Sequence, residues 1–181
     1  MIKVLLKGPL LTQSGYGHHA RTVLRSLRTR EDLFDIYIHP ITWGACSWAW
    51  ESTDERSWID EAIKKTVQHN AQSLSYDLSL QVTIPNEWEK LAPVNIGITA
   101  GIETTKVSPL WIEKSYLMDK ILTISDFAKS SYINTVYNAV NKETGEEFNF
   151  KVQTPVEVIH YPVLKANPAE LFDPAMADKG K

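Results

Sequence analysis

Short apolar runs with the length of buried strands recur along this sequence and alternate with segments of helical spacing. The six predicted strands are residues 2–7, 34–41, 76–84, 94–100, 120–124 and 156–160. After the first run, Ala20, Val23, Leu24 and Leu27 recur at i, i+3, i+4 and i+7, the spacing of an amphipathic helix. Alternation of this kind requires crossover connections, and therefore predicts a mostly parallel sheet with helices on both of its faces.

The first helix is predicted from the apolar spacing that follows Gly17, and capping residues mark where the other helices begin. The second is predicted to begin near Thr53, with Ser52, Thr53 or Asp54 as its cap, the third at Ser108 and the fourth at Ser125. The apolar face predicted for the second helix is Ile59, Ala62, Ile63, Thr66 and Val67, and that of the fourth is Phe127, Tyr132, Ile133, Val136, Tyr137 and Val140. The polar stretch 141–155 predicts a surface hairpin around its glycine. The fold class expected is therefore α/β, a Rossmann-like three-layer α/β/α sandwich.

Length, charge and cysteine content limit the classes of protein to which this chain can belong. Its 181 residues predict one domain over 1–165 and a linker or tail over 166–181. A net charge of −3 without a dense run of Lys or Arg argues against nucleic acid as a partner. The single cysteine, Cys46, excludes an internal disulfide and a cysteine-rich zinc site. Because the amino-terminal apolar run is also too short for a signal peptide or a membrane span, we expect a cytoplasmic protein.

Residues 15–20 match the G-x-G-x-x-A pattern of dinucleotide-binding turns. However, Gly15 comes eight positions after Lys7 instead of directly after the first strand. The second strand also ends at His39-Pro40 and not at an acidic residue that could hold a ribose. Both differences make a nucleotide-dependent oxidoreductase the less favoured interpretation. Glycines before a helix can still bring backbone N–H groups close to a phosphate, or they can serve the turn alone.

Three stretches, taken in order, resemble a known enzyme family. They are SGYGHHARTVLRSL at 14–27, NIGITAGIETTKVSPLWIEKSYLMDKILTISDFAKSSY at 95–132 and VEVIHYPV at 156–163, the last followed by Leu171-Phe172. In this order they resemble the amino-terminal domain of retaining glycosyltransferases of family 4, the group 1 transferases of the GT-B architecture. The resemblance covers residues 1–175 and is most specific between 95 and 130.

The resemblance implies one half of a GT-B enzyme, in which two Rossmann-like domains face each other across the reaction cleft. This chain would hold the acceptor, and a carboxyl-terminal domain on a separate or missing chain would bind most of the nucleotide-sugar donor. Transfer with retention, no cofactor, no essential metal and little activity without the second domain are also implied. The acceptor stays open between a glycan, a lipid and a small molecule. An exposed cleft face could also support self-association.

The candidate donor contacts lie where the carboxyl ends of the predicted strands meet, the edge at which open α/β sheets bind ligands. The backbone amides of Gly15, Tyr16 and Gly17 would approach the donor diphosphate and stabilise charge as the sugar leaves. Ser125 is first a helix cap, and phosphate contact is its second expected role. A purely structural turn is the alternative for the two glycines.

Glu103 and His18 are the candidate catalytic residues. Glu103 follows the fourth strand, where its carboxylate could orient an acceptor hydroxyl or stabilise positive charge at the sugar carbon. The histidine that many family members have before this turn has no counterpart in residues 99–105. His18 and His19 are adjacent, so both cannot face one ligand and no metal site is expected. The alternatives are a capping role for Glu103 and a solvated helix start for the histidines.

Trp43, Thr104 and Thr105 are the candidate acceptor contacts. Trp43 belongs to an aromatic-rich loop after the second strand, and an indole face suits the apolar C–H face of a sugar ring. The alternatives are packing within the loop for Trp43 and hydrogen bonds within their own loop for the threonines. For the whole chain, a non-catalytic binding or interaction module on the same fold is the second functional hypothesis.

Overall fold

The computed structural model describes residues 1–49 and 51–162 of the chain. The strands are β1 (Ile2–Gly8), β2 (Phe34–Pro40), β3 (Leu78–Val82), β4 (Val94–Thr99), β5 (Lys120–Thr123), β6 (Val136–Val140), β7 (Glu147–Lys151) and β8 (Val156–Val158). The helices are α1 (Gly15–Arg28), α2 (Asp54–Ala71), α3 (Pro109–Ser115) and α4 (Asp126–Ile133), with a 3-10 turn at Pro85–Glu87. Trp50 and the predicted linker at 166–181 lie outside the described residues.

Six strands form one sheet in the order β2-β1-β3-β4-β5-β8, and every neighbouring pair is parallel. Helices flank the sheet, so the prediction of a Rossmann-like α/β fold with three layers is confirmed. The chain passes from β1 to β2 on one side and returns past β1 to β3 on the other. In open sheets, ligands bind beyond the carboxyl ends of the strands at such a change of direction.

Helix α1 covers one face of the sheet, and an aromatic cluster lies on the other. Buried residues of α1 pack with alternate residues of the strands, namely Ala20, Leu24 and Leu27 with Val4, Leu6, Leu80, Val82 and Ile98. Gly97, the neighbour of Ile98, points to the opposite face, where a Cβ would come within 2.5 Å of the Trp88 ring. Trp88 is fully buried there with Trp111, Ile112 and Tyr132. Gly97 therefore makes room for the indole.

The chain between β3 and β4 crosses this second face as a strap, residues 85–93, which begins with the 3-10 turn and continues without regular structure. The Gln81 amide oxygen accepts from the Glu89 N–H at 3.0 Å, and the amide nitrogen donates to the Glu89 carbonyl at 2.6 Å. Asn95 Oδ1 accepts from the N–H groups of Leu91 and Ala92 at 2.9 and 3.1 Å. Gln81 and Asn95 are fully buried, so these bonds supply the partners that their amides need.

Helix α2 lies along the edge strand β2. Ile38 of β2 donates its backbone N–H to the Thr66 hydroxyl at 2.8 Å, and this hydroxyl donates to the Ala62 carbonyl at 2.8 Å. The burial predicted for Thr66 and Ala62 is confirmed, whereas that predicted for Val67 is wrong, because its side chain is 64% exposed. A helix at an edge buries a narrower stripe than one that covers a face. His69 is buried in its place, against the Tyr37 ring.

The fourth helix is shorter than predicted. It ends at Ile133, and Val136–Val140 forms β6, which pairs with β7 as an antiparallel hairpin. The prediction of a helical face that continues to Val140 is therefore wrong. Thr135 helps to end the helix, because its hydroxyl donates to the Ser131 carbonyl at 2.6 Å and accepts from the Val107 N–H at 3.0 Å. The predicted hairpin around Gly145 is confirmed, with φ of +74° at that glycine.

Candidate functional site

Helix α1 begins at Gly15, two residues before the predicted start, because Ser14 caps it. The Ser14 hydroxyl accepts a hydrogen bond from the Gly17 N–H at 3.0 Å, and Ser14 has the extended backbone of an N-cap residue. The first N–H groups of a helix have no acceptors within the helix. The cap therefore satisfies Gly17 and leaves the amides of Gly15 and Tyr16 to a ligand, at the positive end of the helix dipole.

The two glycines of this loop have different surroundings. A Cβ at Gly15 would meet no atom within 4 Å, and Gly15 is exposed. A Cβ at Gly17 would lie 2.8 Å from the Thr12 hydroxyl oxygen, still closer to the Thr12 carbonyl oxygen, and 3.0 Å from the Pro9 carbonyl oxygen. Gly17 is therefore needed for the contact between the helix start and residues 9–12. The space beside Gly15, in contrast, is open to a ligand.

Tyr16 joins the glycine loop to the carboxyl end of β4. Its hydroxyl forms a hydrogen bond with the Thr99 hydroxyl at 2.9 Å and accepts from the Ala100 N–H at 3.2 Å. Burial raises the pKa of Tyr16, and these two hydrogen bonds oppose the rise. The ring also packs against the Trp43 indole, with 4.6 Å between the ring centroids. Loops that follow β1, β2 and β4 thus meet at Tyr16.

The loop after β4 carries Glu103, Thr104 and Thr105, and all three are exposed. The loop leaves the strand at Gly101, whose φ of +82° lies in the left-handed region. A Cβ atom added at this position would lie only 2.6 Å from the Ala128 Cβ. The Thr104 hydroxyl donates to the Lys106 carbonyl at 2.7 Å, as expected for a residue that stabilises its own loop. Glu103 is thus held on a loop that packs against the start of α4.

Ser125 follows β5 and caps α4. Its hydroxyl accepts from the Ala128 N–H at 3.1 Å, so the capping role that the sequence predicted is confirmed. Because Ala128 also contacts the Gly101 turn, the start of α4 and the Glu103 loop lie side by side. The predicted phosphate contact of Ser125 would have to share the hydroxyl with this cap.

The two histidines of α1 differ in exposure. His18, the predicted catalytic group, is exposed, whereas His19 is only 6% exposed. The His19 ring packs edge-on against Tyr161 with 4.8 Å between centroids, and its Nδ1 has no hydrogen-bond partner among the described residues. Burial lowers the pKa of His19 to about 4, and the neighbouring His18 adds to this effect. A solvated helix start, the alternative expected for both histidines, is therefore wrong for His19, whose i+4 spacing to Val23 of the apolar stripe points inward.

His19 also lines an apolar groove of about 290 Å³ between α1 and the sheet. Apolar side chains make up most of the groove wall, among them Val23, Leu27, Leu80, Ile98, Leu122 and Ile159. The groove begins beside Thr123 at the carboxyl end of β5 and follows α1 away from that edge. It therefore adjoins the site without belonging to the polar edge where Tyr16 lies.

An open crevice of about 730 Å³ lies beyond the carboxyl ends of β2 and β3. Trp43 forms part of one wall, and Ile84 and Glu87, which follow β3, form part of another. A ligand contact was predicted from the sequence for Trp43, but not for Ile84 or Glu87. Their position directly after a predicted strand was the available signal, because ligands bind at the carboxyl ends of such strands.

Within residues 1–49 and 51–162, no three His, Cys, Asp or Glu side chains group closely enough to hold a metal ion. In the same part of the chain, every helix is too short or too polar to cross a membrane. Comparisons with known proteins found no family model, no curated protein and no solved structure that matches this chain.

Proposed function

We propose that this chain is the acceptor-side half of a retaining glycosyltransferase, which transfers a sugar from a nucleotide-sugar donor when a donor-binding domain is supplied. The observation that carries the proposal is the bonding of the Tyr16 hydroxyl to Thr99 and to the Ala100 N–H. These bonds join the glycine loop to the loop that carries Glu103. The two parts of the proposed reaction edge therefore lie together, as the ordered motifs of the sequence led us to expect.

The glycine loop would act on the donor diphosphate. When the bond between the sugar and the diphosphate breaks, negative charge develops on the diphosphate oxygens. The amides of Gly15 and Tyr16 lie at the positive end of α1 and would donate hydrogen bonds to that charge. Since they are fixed by the Ser14 cap before the donor binds, little reorganisation is needed in the reaction.

Glu103 would act on the acceptor side. Its exposed carboxylate can accept a hydrogen bond from an acceptor hydroxyl and orient it toward the sugar carbon. His18 is the exposed imidazole at the start of α1 and is the second proposed catalytic group. A donor-binding domain would complete the site. A cytoplasmic location is part of the proposal and is supported by the single free cysteine, Cys46.

A Gly15→Pro substitution tests the diphosphate contact directly. Proline is favoured at the first position of a helix, and Ser14 already has the extended backbone that precedes proline. The substitution therefore removes one N–H donor and keeps the helix. A hydrogen bond to a charged group contributes about 1.5–3 kcal/mol, so we expect the affinity for UDP, GDP or ADP to fall about 10- to 100-fold.

Amide shifts in a heteronuclear NMR titration report both the affinity and the place of binding. The original chain is the reference, because it retains the Gly15 N–H and leaves the space beside it open, and Gly15→Ala shows the effect of a methyl group in that space with the N–H retained. Nucleoside diphosphates that shift the Tyr16 and Gly17 amides in the original chain, and far less in Gly15→Pro, would support the proposal. Equal binding by the original chain and Gly15→Pro, or binding of NAD and FAD alone, would contradict it.

A further inference from the structure

Trp43 is held as a fixed aromatic wall of the crevice beyond β2 and β3. The Tyr16 ring packs against it, and Trp43 itself is only partly buried. Its loop is tied to neighbouring segments, because the Ile41 N–H donates to the Gly8 carbonyl at 3.1 Å and the Gln13 N–H donates to the Ser47 carbonyl at 2.7 Å. The indole therefore presents a preformed apolar surface to a ligand.

The opposite wall carries one exposed carboxylate. Glu87 ends the 3-10 turn, and its carbonyl oxygen accepts from the Lys7 ammonium at 2.6 Å. The same ammonium also binds the Glu89 carboxylate at 2.6 Å, so the nearest buried cation is already paired. Of the described residues that line the crevice, Glu87 alone is charged. The crevice consequently favours neutral or cationic ligands over anionic ones.

The size of the crevice suits a small molecule. Its volume of about 730 Å³ lies within the range of roughly 300–1,000 Å³ that is typical of ligand sites. Ile84 adds an apolar surface, while the Thr42 side chain and Glu87 supply polar atoms. A ligand with one apolar face and several hydroxyl groups matches this combination.

We propose that the crevice binds a neutral saccharide as the acceptor, with the C–H face of one ring against Trp43 and ring hydroxyls donating to Glu87. This inference rests on the proposed function, since it names the class of acceptor for that site. A carboxylate accepts from two neighbouring hydroxyls at once, and such charge-assisted bonds are the stronger ones. A uronate or a sugar phosphate would instead bring a second negative charge next to Glu87.

Saccharide binding by the chain alone provides the test, because it requires neither donor nor second domain. The probes are cellobiose, maltose and methyl mannoside, with a glucuronate-containing disaccharide as the anionic counterpart. Binding is followed through the indole N–H signals of the tryptophans in NMR titrations. Trp43→Ala and Glu87→Gln should each weaken binding of the neutral probes about tenfold or more, and Trp43→Phe should recover most of the affinity.

Two matched controls distinguish the loss of a ligand contact from a general disturbance of the fold. Trp48→Ala removes a 49% exposed indole of the same loop that does not line the crevice, and Glu143→Gln removes an exposed carboxylate of the distant hairpin. Both should bind the neutral probes within about twofold of the original chain. Glu87→Gln keeps the shape of the side chain, so its effect stays interpretable if Trp43→Ala fails to fold.

Failure of the inference is distinct from failure of the proposed function. Lack of neutral saccharide binding, equal affinity for the glucuronate probe, or no effect of Glu87→Gln would each overturn the inference. Transfer to a non-saccharide acceptor would overturn it too, while the proposed function would stand. Saccharide binding that depends on Trp43 and Glu87, without any diphosphate contact at Gly15, would support the crevice as a saccharide site and refute the transferase.

Discussion

Protonation of His19 should destabilise the fold in mildly acidic solution. Burial holds the pKa of His19 at about 4, against 6.5 for an ordinary histidine. Between these two values the unfolded chain binds the proton and the folded chain does not, so the stability falls as the pH falls. Above pH 6.5 the imidazole is neutral in both states and this contribution is fully present. The difference of 2.5 pKa units corresponds to about 3 kcal/mol near pH 4, and about 2 kcal/mol is lost by pH 5.

Urea unfolding followed by tryptophan fluorescence at pH 7.5 and 5.0 measures this loss. His19→Phe keeps an aromatic ring against Tyr161 and cannot be protonated, and no known hydrogen bond to Nδ1 is given up. The free energy of unfolding of the original chain should fall by about 2 kcal/mol more than that of His19→Phe between the two pH values. Other ionisable groups, including His39, whose pKa is lowered by burial, remain in both proteins and cancel in the difference.

His18→Gln is the matched control for His19→Phe. His18 is exposed, so removing it should leave most of the pH dependence in place. If the original chain and His19→Phe lose the same free energy on acidification, His19 is not held neutral by burial and the reasoning fails. A pH dependence that disappears in His18→Gln would assign the effect to the wrong imidazole and would refute it equally.

Two glycine substitutions give further predictions about packing. Gly97→Ala places a methyl group against the Trp88 ring, so we expect the free energy of unfolding to fall by about 1–3 kcal/mol and the Trp88 fluorescence to shift. Urea unfolding measures this loss, and an unchanged urea midpoint would contradict the overpacking. Gly17→Ala should destabilise the chain because its methyl group meets the Thr12 carbonyl, whereas Gly15→Ala should be neutral or up to about 1 kcal/mol stabilising through helix propensity. Equal thermal midpoints for the two variants would show that the Thr12 carbonyl does not pack tightly against Gly17 at the start of the helix.

The sheet could be predicted from the sequence because its strands recur as short, largely apolar segments between segments of helical spacing, even though Gln81 and Asn95 place buried amides in two of them. The error at Val136–Val140 has a local cause. Apolar residues at 132, 133, 136, 137 and 140 fit a helical stripe, but strands also favour Val and Tyr, and periodicity alone could not show that the chain turns at Thr135. Tertiary contacts of the Thr135 hydroxyl with Val107 decided between the two.

The candidate site could be predicted only in part. The predicted parallel sheet brings the loops that follow its strands to one edge, and the Tyr16 bonds to Thr99 and Ala100 confirm that the glycine loop contacts the start of the loop that carries Glu103. Which glycine is structural depends on the Thr12 carbonyl, a backbone atom that no motif reveals. The role of Glu87 could not be predicted for a related reason. Its polar segment forms a strap that is held by hydrogen bonds with Gln81, and these bonds form only when the sheet is folded.

The edge position of α2 has a consequence for how copies of this chain could polymerise. A strand from another molecule that approached β2 would meet the helix, and would find the Ile38 N–H already donated to Thr66. Among the described strands, the opposite edge of the main sheet is β8, which offers only three residues. Growth of amyloid-like ribbons by strand pairing is therefore blocked by helix α2 at the β2 edge. At the β8 edge it is disfavoured, because a strand of three residues offers few backbone groups for pairing.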